Sequence, residues 1–439
     1  MERLPDEIWL EIVAGLGDSH HALAAFARVC RKGYDLAKPP LYERLPPPGA
    51  GSRISQFLVR TLCENETIAD LVRRGEFVEG VNYDFEDSEV LPVVQASARL
   101  PDDFKSALIN GGFDLGEGVY PDWHALFVAL LPNLEELAIE IPYDAAALKK
   151  ALGVNRLPRL RKLSVFHADT EGAADLWYLM PELFQVGATT LETFEGHAND
   201  WSLELSGDPA KPPNSTVVHE TLRYLTLQLS LFDAAGLARL LTSCPRLVSL
   251  RLHWGDACIS DSFELDLPGT GQTIREYAPA ELEVLLLNPV DHANYDTVTE
   301  GVGSLRSLKR LRELHLSHDV LAGVVNGAAD GPGSPLHRDA LVRLLPASLE
   351  ELYLEIRHSP PPQRVLAAQV RHLVRDPEQF PNLWRVELGV LDPTGFDMRG
   401  WTNYGWTATV IDLKKDGNWD ANWLEMRTAN RIRLERIRN

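Results

Sequence analysis

The chain is 439 residues long, with 45% hydrophobic and 24% charged side chains and a formal net charge of -20. That length exceeds what one hydrophobic core usually supports, so several domains or a repeat array are expected. No apolar run is long enough to span a bilayer, and an acidic body repels phosphate backbones, which predicts no membrane span and disfavours nucleic-acid binding. The charge is uneven: residues 1–45 carry six basic and seven acidic side chains and residues 414–439 seven and four, which leaves a net -22 between them. Cys30, Cys63, Cys244 and Cys258 lie far apart with no C-x-x-C pair. That pattern predicts free thiols in a reducing compartment, cytoplasmic or nuclear, and neither a zinc ribbon nor a disulfide framework.

The opening LPDEIWLEIVAGL predicts an amphipathic helix. Leu4, Ile8, Ile12 and Leu16 recur at helical spacing, with Trp9 and Val13 widening the stripe. Pro5 sits in the first turn, and Asp6, Glu7 and Glu11 place negative charge near the positive end of the helix dipole. Residues 18–45 predict two further short helices, one with Leu23, Phe26, Val29 and Cys30 on its apolar face, the next with Leu36, Ala37, Leu41 and Tyr42. PPPGAGS at 46–52 punctuates the chain strongly, which places a domain boundary there and a linker over 46–59.

Through the remainder of the chain the pattern L-x-x-L-x-L recurs. Clear copies are LEELAI (134–139), LRKLSV (160–165), LRYLTL (222–227), LVSLRL (247–252), LEVLLL (282–287), LRELHL (311–316), LEELYL (349–354) and LWRVEL (383–388), with LETFEG (191–196) a degraded one. Each copy ends in a short strand whose alternate residues point into a core, a face one unit cannot bury alone. Helical segments fall between copies: DAAALKKAL (144–152), DAAGLARLLTSC (233–244), RDALVRLL (338–345) and RVLAAQVRHLVRD (364–376). The expected fold is therefore α/β: an irregular solenoid with a curved parallel sheet inside and helices outside. SGDPAKPPNST, DLPGTGQT, GAADGPGSP and HSPPPQ are expected as loops that interrupt it.

In each strand the residues flanking the buried ones face the inner surface. Among them Lys162, Phe166, Tyr224, Arg251, His253, His315 and Tyr353 put cationic and aromatic groups where a protein ligand would lie. The last segment carries Trp401, Trp406, Trp419 and Trp423 and ends in an arginine-rich stretch. It is expected to cap the array with aromatics and a basic helix that shows Arg427, Arg431 and Arg438 on one face. No phosphate-binding loop, H-E-x-x-H or G-x-S-x-G motif is present, so the sequence predicts no catalysis of its own, no cofactor and no metal.

The N-terminal elements LPDEIWLEIVAGL (4–16), LAAFARVCRKGYDLA (23–37) and PPLYERL (39–45) resemble an F-box, the helical module by which substrate receptors of SCF ubiquitin ligases hold the Skp adaptor. The remainder resembles leucine-rich repeats, and the combination is similar to the F-box/leucine-rich-repeat family. The resemblance implies an F-box-like domain over 1–45, the linker over 46–59, a leucine-rich-repeat solenoid over 60–400 and a cap over 401–439. It further implies that Leu4, Pro5, Ile8, Ile12, Leu23, Val29, Cys30, Leu41 and Tyr42 face the Skp adaptor, and through it a cullin scaffold. The implied role is non-catalytic recruitment of a protein substrate for ubiquitin-dependent degradation. The alternative is a leucine-rich-repeat interaction scaffold that degrades nothing.

Overall fold

A computed structural model describes residues 4–17, 19–45, 52–77, 87–110, 113–114, 119–120, 123–141, 146–167, 174–176, 189–202, 218–255, 265–291, 299–323, 337–355, 363–390, 400–412 and 430–437. The architecture is α/β with mostly parallel strand pairing. The chain divides into two compact units, Met1–Ala168 with Tyr178–Phe194, and Asp169–Trp177 with Glu195–Asn439.

The first unit opens with three helices, α1 (Asp6–Gly15), α2 (His20–Ala27) and α3 (Arg31–Glu43). Each start has a local cause. Pro5 stands at the N-cap of α1 ahead of Asp6 and Glu7, the Ser19 hydroxyl accepts from the Ala22 N–H, and Cys30 Sγ accepts from the Gly33 N–H. Trp9 holds α1 down: it is 1% exposed, its ring packs at 5.6 Å from that of Phe26, and Lys32 pairs with Asp6. Gly33 is required where α2 and α3 meet, since a Cβ there would lie 2.9 Å from the Phe26 carbonyl oxygen.

The end of α3 is joined to a sheet. The Leu45 N–H donates to the Arg74 carbonyl and the Arg73 N–H to that of Glu43, beside the strand β1 (Arg74–Phe77). After the hairpin strands β2 (Phe113–Asp114) and β3 (Val119–Tyr120), β4 (Glu136–Glu140) pairs parallel to β1, and β5 (Lys162–Phe166) parallel to β4. Leu134, Leu137 and Ile139 of the first L-x-x-L-x-L copy are buried. A helix over Ser52–Glu64 corrects the linker boundary: only its leading residues 46–51 lie outside the described residues, and from Ser52 the chain is helical.

The sequence passes between the units within β7 (Thr193–His197). In the second unit the short strands β6 (Ala174–Asp175) and β8 (Asn199–Asp200) pair with each other. The main strands β9 (Tyr224–Gln228), β10 (Ser249–Gly255), β11 (Val284–Asp291), β12 (Glu313–Ser317), β13 (Glu351–Glu355) and β14 (Arg385–Val390) follow in spatial as in chain order, all parallel. Their leucines stand in register: Leu225, Leu250 and Leu285 in one row with Leu314 and Leu352, and Leu227, Leu252 and Leu287 in the next with Leu316 and Leu354. All are buried, so each copy of the pattern supplies two rungs of one core. Helices over Ala234–Ser243, Leu267–Tyr277, Ala340–Leu344 and Gln363–Arg375 connect successive strands.

Two expectations are corrected here. DLPGTGQT is no loop: Asp266 caps a helix by accepting from the Gly269 N–H at 2.8 Å, Pro268 stands in the first turn, and Gly271 allows close approach, because a Cβ would sit 2.0 Å from the Val302 carbonyl oxygen. The basic C-terminal helix is instead the strand β16 (Asn430–Arg436), antiparallel to β14 and to β15 (Trp406–Asp412). Ile432 and Leu434 are buried and alternate with Arg431, Arg433 and Glu435, a period of two that a helix could not bury. Trp401 and Trp406 are buried, and Arg371 from the helix Gln363–Arg375 lies over the Trp401 ring. Trp419, Trp423, Arg427 and Arg438 lie outside the described residues, as do most of the loops expected at 206–216, 327–335 and 358–363.

Candidate functional site

Because the leucines of β9 to β14 point to one side of the sheet, the residues between them point to the other. Register then decides which of these meet. One row runs Arg251, Leu286, His315, Tyr353, Glu387, Arg433, and the row beside it Val284, Glu313, Glu351, Arg385, Glu435. The first row, with Glu313 and Arg385 of the second, lines a cavity of about 250 Å³ within the second unit, to which Arg431 and Glu355 also contribute.

The charges are organised around one carboxylate. Glu387 is 1% exposed; its Oε1 accepts from Arg385 Nη2 and Arg433 Nε, both at 2.6 Å, and its Oε2 from Arg431 Nη1 at 3.4 Å. Three guanidinium groups thus share one buried anion. Glu351 takes part of the excess, accepting from Arg385 Nη1 at 3.3 Å and from the Tyr353 hydroxyl at 2.6 Å. Burial raises the Tyr353 phenol above its ordinary value, and the donation to Glu351 adds to the rise, so it stays a protonated donor. On the other flank His315 Nε2 lies 2.6 Å from Glu313 Oε1. That contact holds the Glu313 carboxyl below its usual range, and the charges of Arg251 and Arg385 act in the same sense.

The aromatic rings form a wall. His315 and Tyr353, opposite each other on β12 and β13, stack with centroids 3.9 Å apart and planes at 12°, and the Arg385 guanidinium lies 5.5 Å from the Tyr353 ring centre. Some donors are left over. Arg385 Nε and Arg431 Nε are buried without a hydrogen-bond acceptor among the described residues. Arg251, half-buried on β10, makes no hydrogen bond or ion pair among them. The site is an array of fixed guanidinium donors beside a planar wall, a binding chemistry suited to an oxyanion.

Of the residues singled out from the sequence for the inner face, the structure brings Arg251, His315 and Tyr353 together here. Lys162 lies elsewhere, lining a separate depression in the first unit with Arg44, Arg74, Glu76 and Glu136. Phe166 is half-buried on β5, and Tyr224 is exposed on β9 outside the cavity. His253 must be withdrawn as a ligand contact, because it is buried at 1% exposure. Arg385, Glu387 and Arg433 are not among the residues singled out from the sequence, and Arg431 is expected there only on a basic helix. The same alternation, carried one repeat further into LWRVEL and on to NRIRLER, marks all four.

The second candidate surface is on the three N-terminal helices. Leu4, Ile8 and Ile12 are 39%, 40% and 37% exposed, Pro5 is exposed beside them, and Val29 is exposed at the end of α2. Trp9 does not widen this stripe but faces inward. Leu23, at 1% exposure, is a core residue and cannot face a partner. Cys30 is engaged in capping α3, and Leu41 and Tyr42 are half-buried. Leu10 and Tyr34 are also exposed, at 55% and 41%. Compared with known proteins, the sequence matches no family model and no curated protein.

Proposed function

We propose that this chain is the substrate-recognition subunit of an SCF-type ubiquitin ligase, which holds the Skp adaptor by its N-terminal F-box-like helices and a protein substrate by the inner face of a leucine-rich-repeat solenoid. One observation carries the reading. Leu4, Ile8 and Ile12 form an apolar stripe at helical spacing that stays exposed although Trp9, on another side of the same helix, is fully buried. A helix anchored by one side and left apolar on another fits a groove on a partner. The L-P-x-E-I start and the V-C-R run that carry the F-box resemblance lie at the start of α1 and at the α2–α3 junction.

The second unit supports the other half of the reading. Leucine rungs in register across six parallel strands, with helices between several of them, are what stacked leucine-rich repeats require. In this account the chain contributes proximity, and the transfer chemistry takes place on other subunits. The test is titration calorimetry of the purified chain against the Skp adaptor, beside an Ile8→Asp, Ile12→Asp double variant whose far-UV circular dichroism matches the wild type. Tight binding lost in the variant is the expected result. A wild type that does not bind the adaptor overturns the assignment.

A further inference from the structure

We propose that the cavity between β10 and β16 is an oxyanion-binding site, which takes a phosphate or carboxylate group of the ligand on Arg251 and the unshared N–H groups of Arg385, Arg431 and Arg433. The inference rests on the reading of this face as the substrate surface, and it names the chemistry by which a substrate is anchored there.

The arginines set the chemistry of the cavity. Four of them line one cavity of about 250 Å³, a volume suited to one side chain or a small ligand. Guanidinium groups brought this close repel one another, so a protein that only needed a sheet face would space them out. Here Glu387 holds three of them in fixed orientation, which organises the donors before any ligand arrives. Their hydrogen-bonding capacity is not exhausted by that. A guanidinium offers five donors, yet among the described residues Arg431 shows one bond, through Nη1, and Arg433 one, through Nε. Arg385 Nε and Arg431 Nε are buried with no acceptor among those residues, so the donors left for a ligand are the remaining Nη groups.

Arg251 is the distinguishing residue. It reaches the same cavity from β10, with β11 to β14 between it and Arg433 on β16, and makes no hydrogen bond or ion pair among the described residues. Of the three lining carboxylates, Glu313 and Glu387 are engaged with His315 and with the other arginines, and Glu355 is buried at 3% exposure. An anion placed over Tyr353 therefore finds the Arg251 cation on one side and partly used guanidinium forks on the other. The stacked Tyr353 and His315 rings give the ligand an apolar contact next to its charge.

The experiment is titration calorimetry of the full chain, at constant ionic strength, with inorganic phosphate in one arm and succinate in the other, on the wild type, Arg251→Ala and Arg251→Lys. Constant ionic strength removes general screening from the comparison. Arg251 makes no hydrogen bond or ion pair among the described residues, although its charge acts on Glu313, and far-UV circular dichroism checks that the variants keep the fold. Binding that falls at least about tenfold in Arg251→Ala and recovers in part in Arg251→Lys supports the site. Preference for phosphate identifies a phosphoryl anchor, and preference for succinate a carboxylate one. No binding of either, or equal binding by Arg251→Ala, overturns it. Adaptor binding measured on the same preparation separates the two claims: adaptor binding without oxyanion binding removes this inference alone, and the reverse leaves the site standing while the ligase assignment falls.

Discussion

At the level of single residues Glu387 holds the charged cluster together. It is buried, and three arginines depend on it for neutralisation. Removing one partner from a buried ion cluster leaves the others uncompensated, which costs about 3–5 kcal/mol where burial is complete. Arg385 and Arg433 retain 20% and 34% exposure, so solvent takes up part of the charge. Glu387→Gln is therefore expected to destabilise the chain by about 2–3 kcal/mol, seen as a lowered urea midpoint. A change under about 0.5 kcal/mol would contradict the cluster's structural role. Residues were unevenly legible in the sequence. Alternation along a strand is enough to put Arg251, His315 and Tyr353 on one face, because side chains in a strand repeat every second residue. It does not say how deep each one sits, which is why His253 was expected at the surface and is buried. Leu23 failed for a related reason: spacing identifies an apolar face but not which of two apolar sides is turned inward.

The elements show where local signals compete. The helix Leu267–Tyr277 was hidden by Gly269 and Gly271, which lower helix propensity and mimic a loop. Each has a structural purpose, one local and one tertiary. Gly269 presents its N–H to the Asp266 cap, and Gly271 lets the helix approach Val302. Asp266→Ala should cost about 1 kcal/mol by loss of the cap, read as a small fall in thermal midpoint. Gly271→Ala forces a Cβ against the Val302 carbonyl oxygen and should cost more, about 2–3 kcal/mol, by the same measurement. A Gly271→Ala variant as stable as the wild type would contradict the close packing described. The strand β16 was hidden differently. N-R-I-R-L-E-R is a strict alternation, but its many arginines favour a basic helix when charge is weighed above period. The repeat strands were legible throughout because period, leucine identity and connecting helices all agree.

For the whole molecule, histidines shielded from water set the response to acid. Burial lowers His124 and His219 to about 4, and it also lowers His197 and His318 below their ordinary value. In the unfolded chain these groups take up protons near pH 6.5, while in the folded chain they remain neutral until lower pH. Stability is therefore fully present above about pH 6.5 and is lost as pH falls from there towards 4. Urea midpoints at pH 7, 6 and 5 should decrease in that order, and a midpoint that rises towards pH 5 would contradict the burial of these imidazoles.

The assignment of the N-terminal helices as the coupling surface, separate from the cavity in the second unit, is tested most directly by hydrogen exchange on the full chain with and without the Skp adaptor. Amides of α1 and of the α2–α3 junction near Val29 should gain protection on binding, and those of β12 and β13, which carry His315 and Tyr353, should be unchanged. Protection on β12 and β13 in place of α1, or none anywhere, would contradict the account.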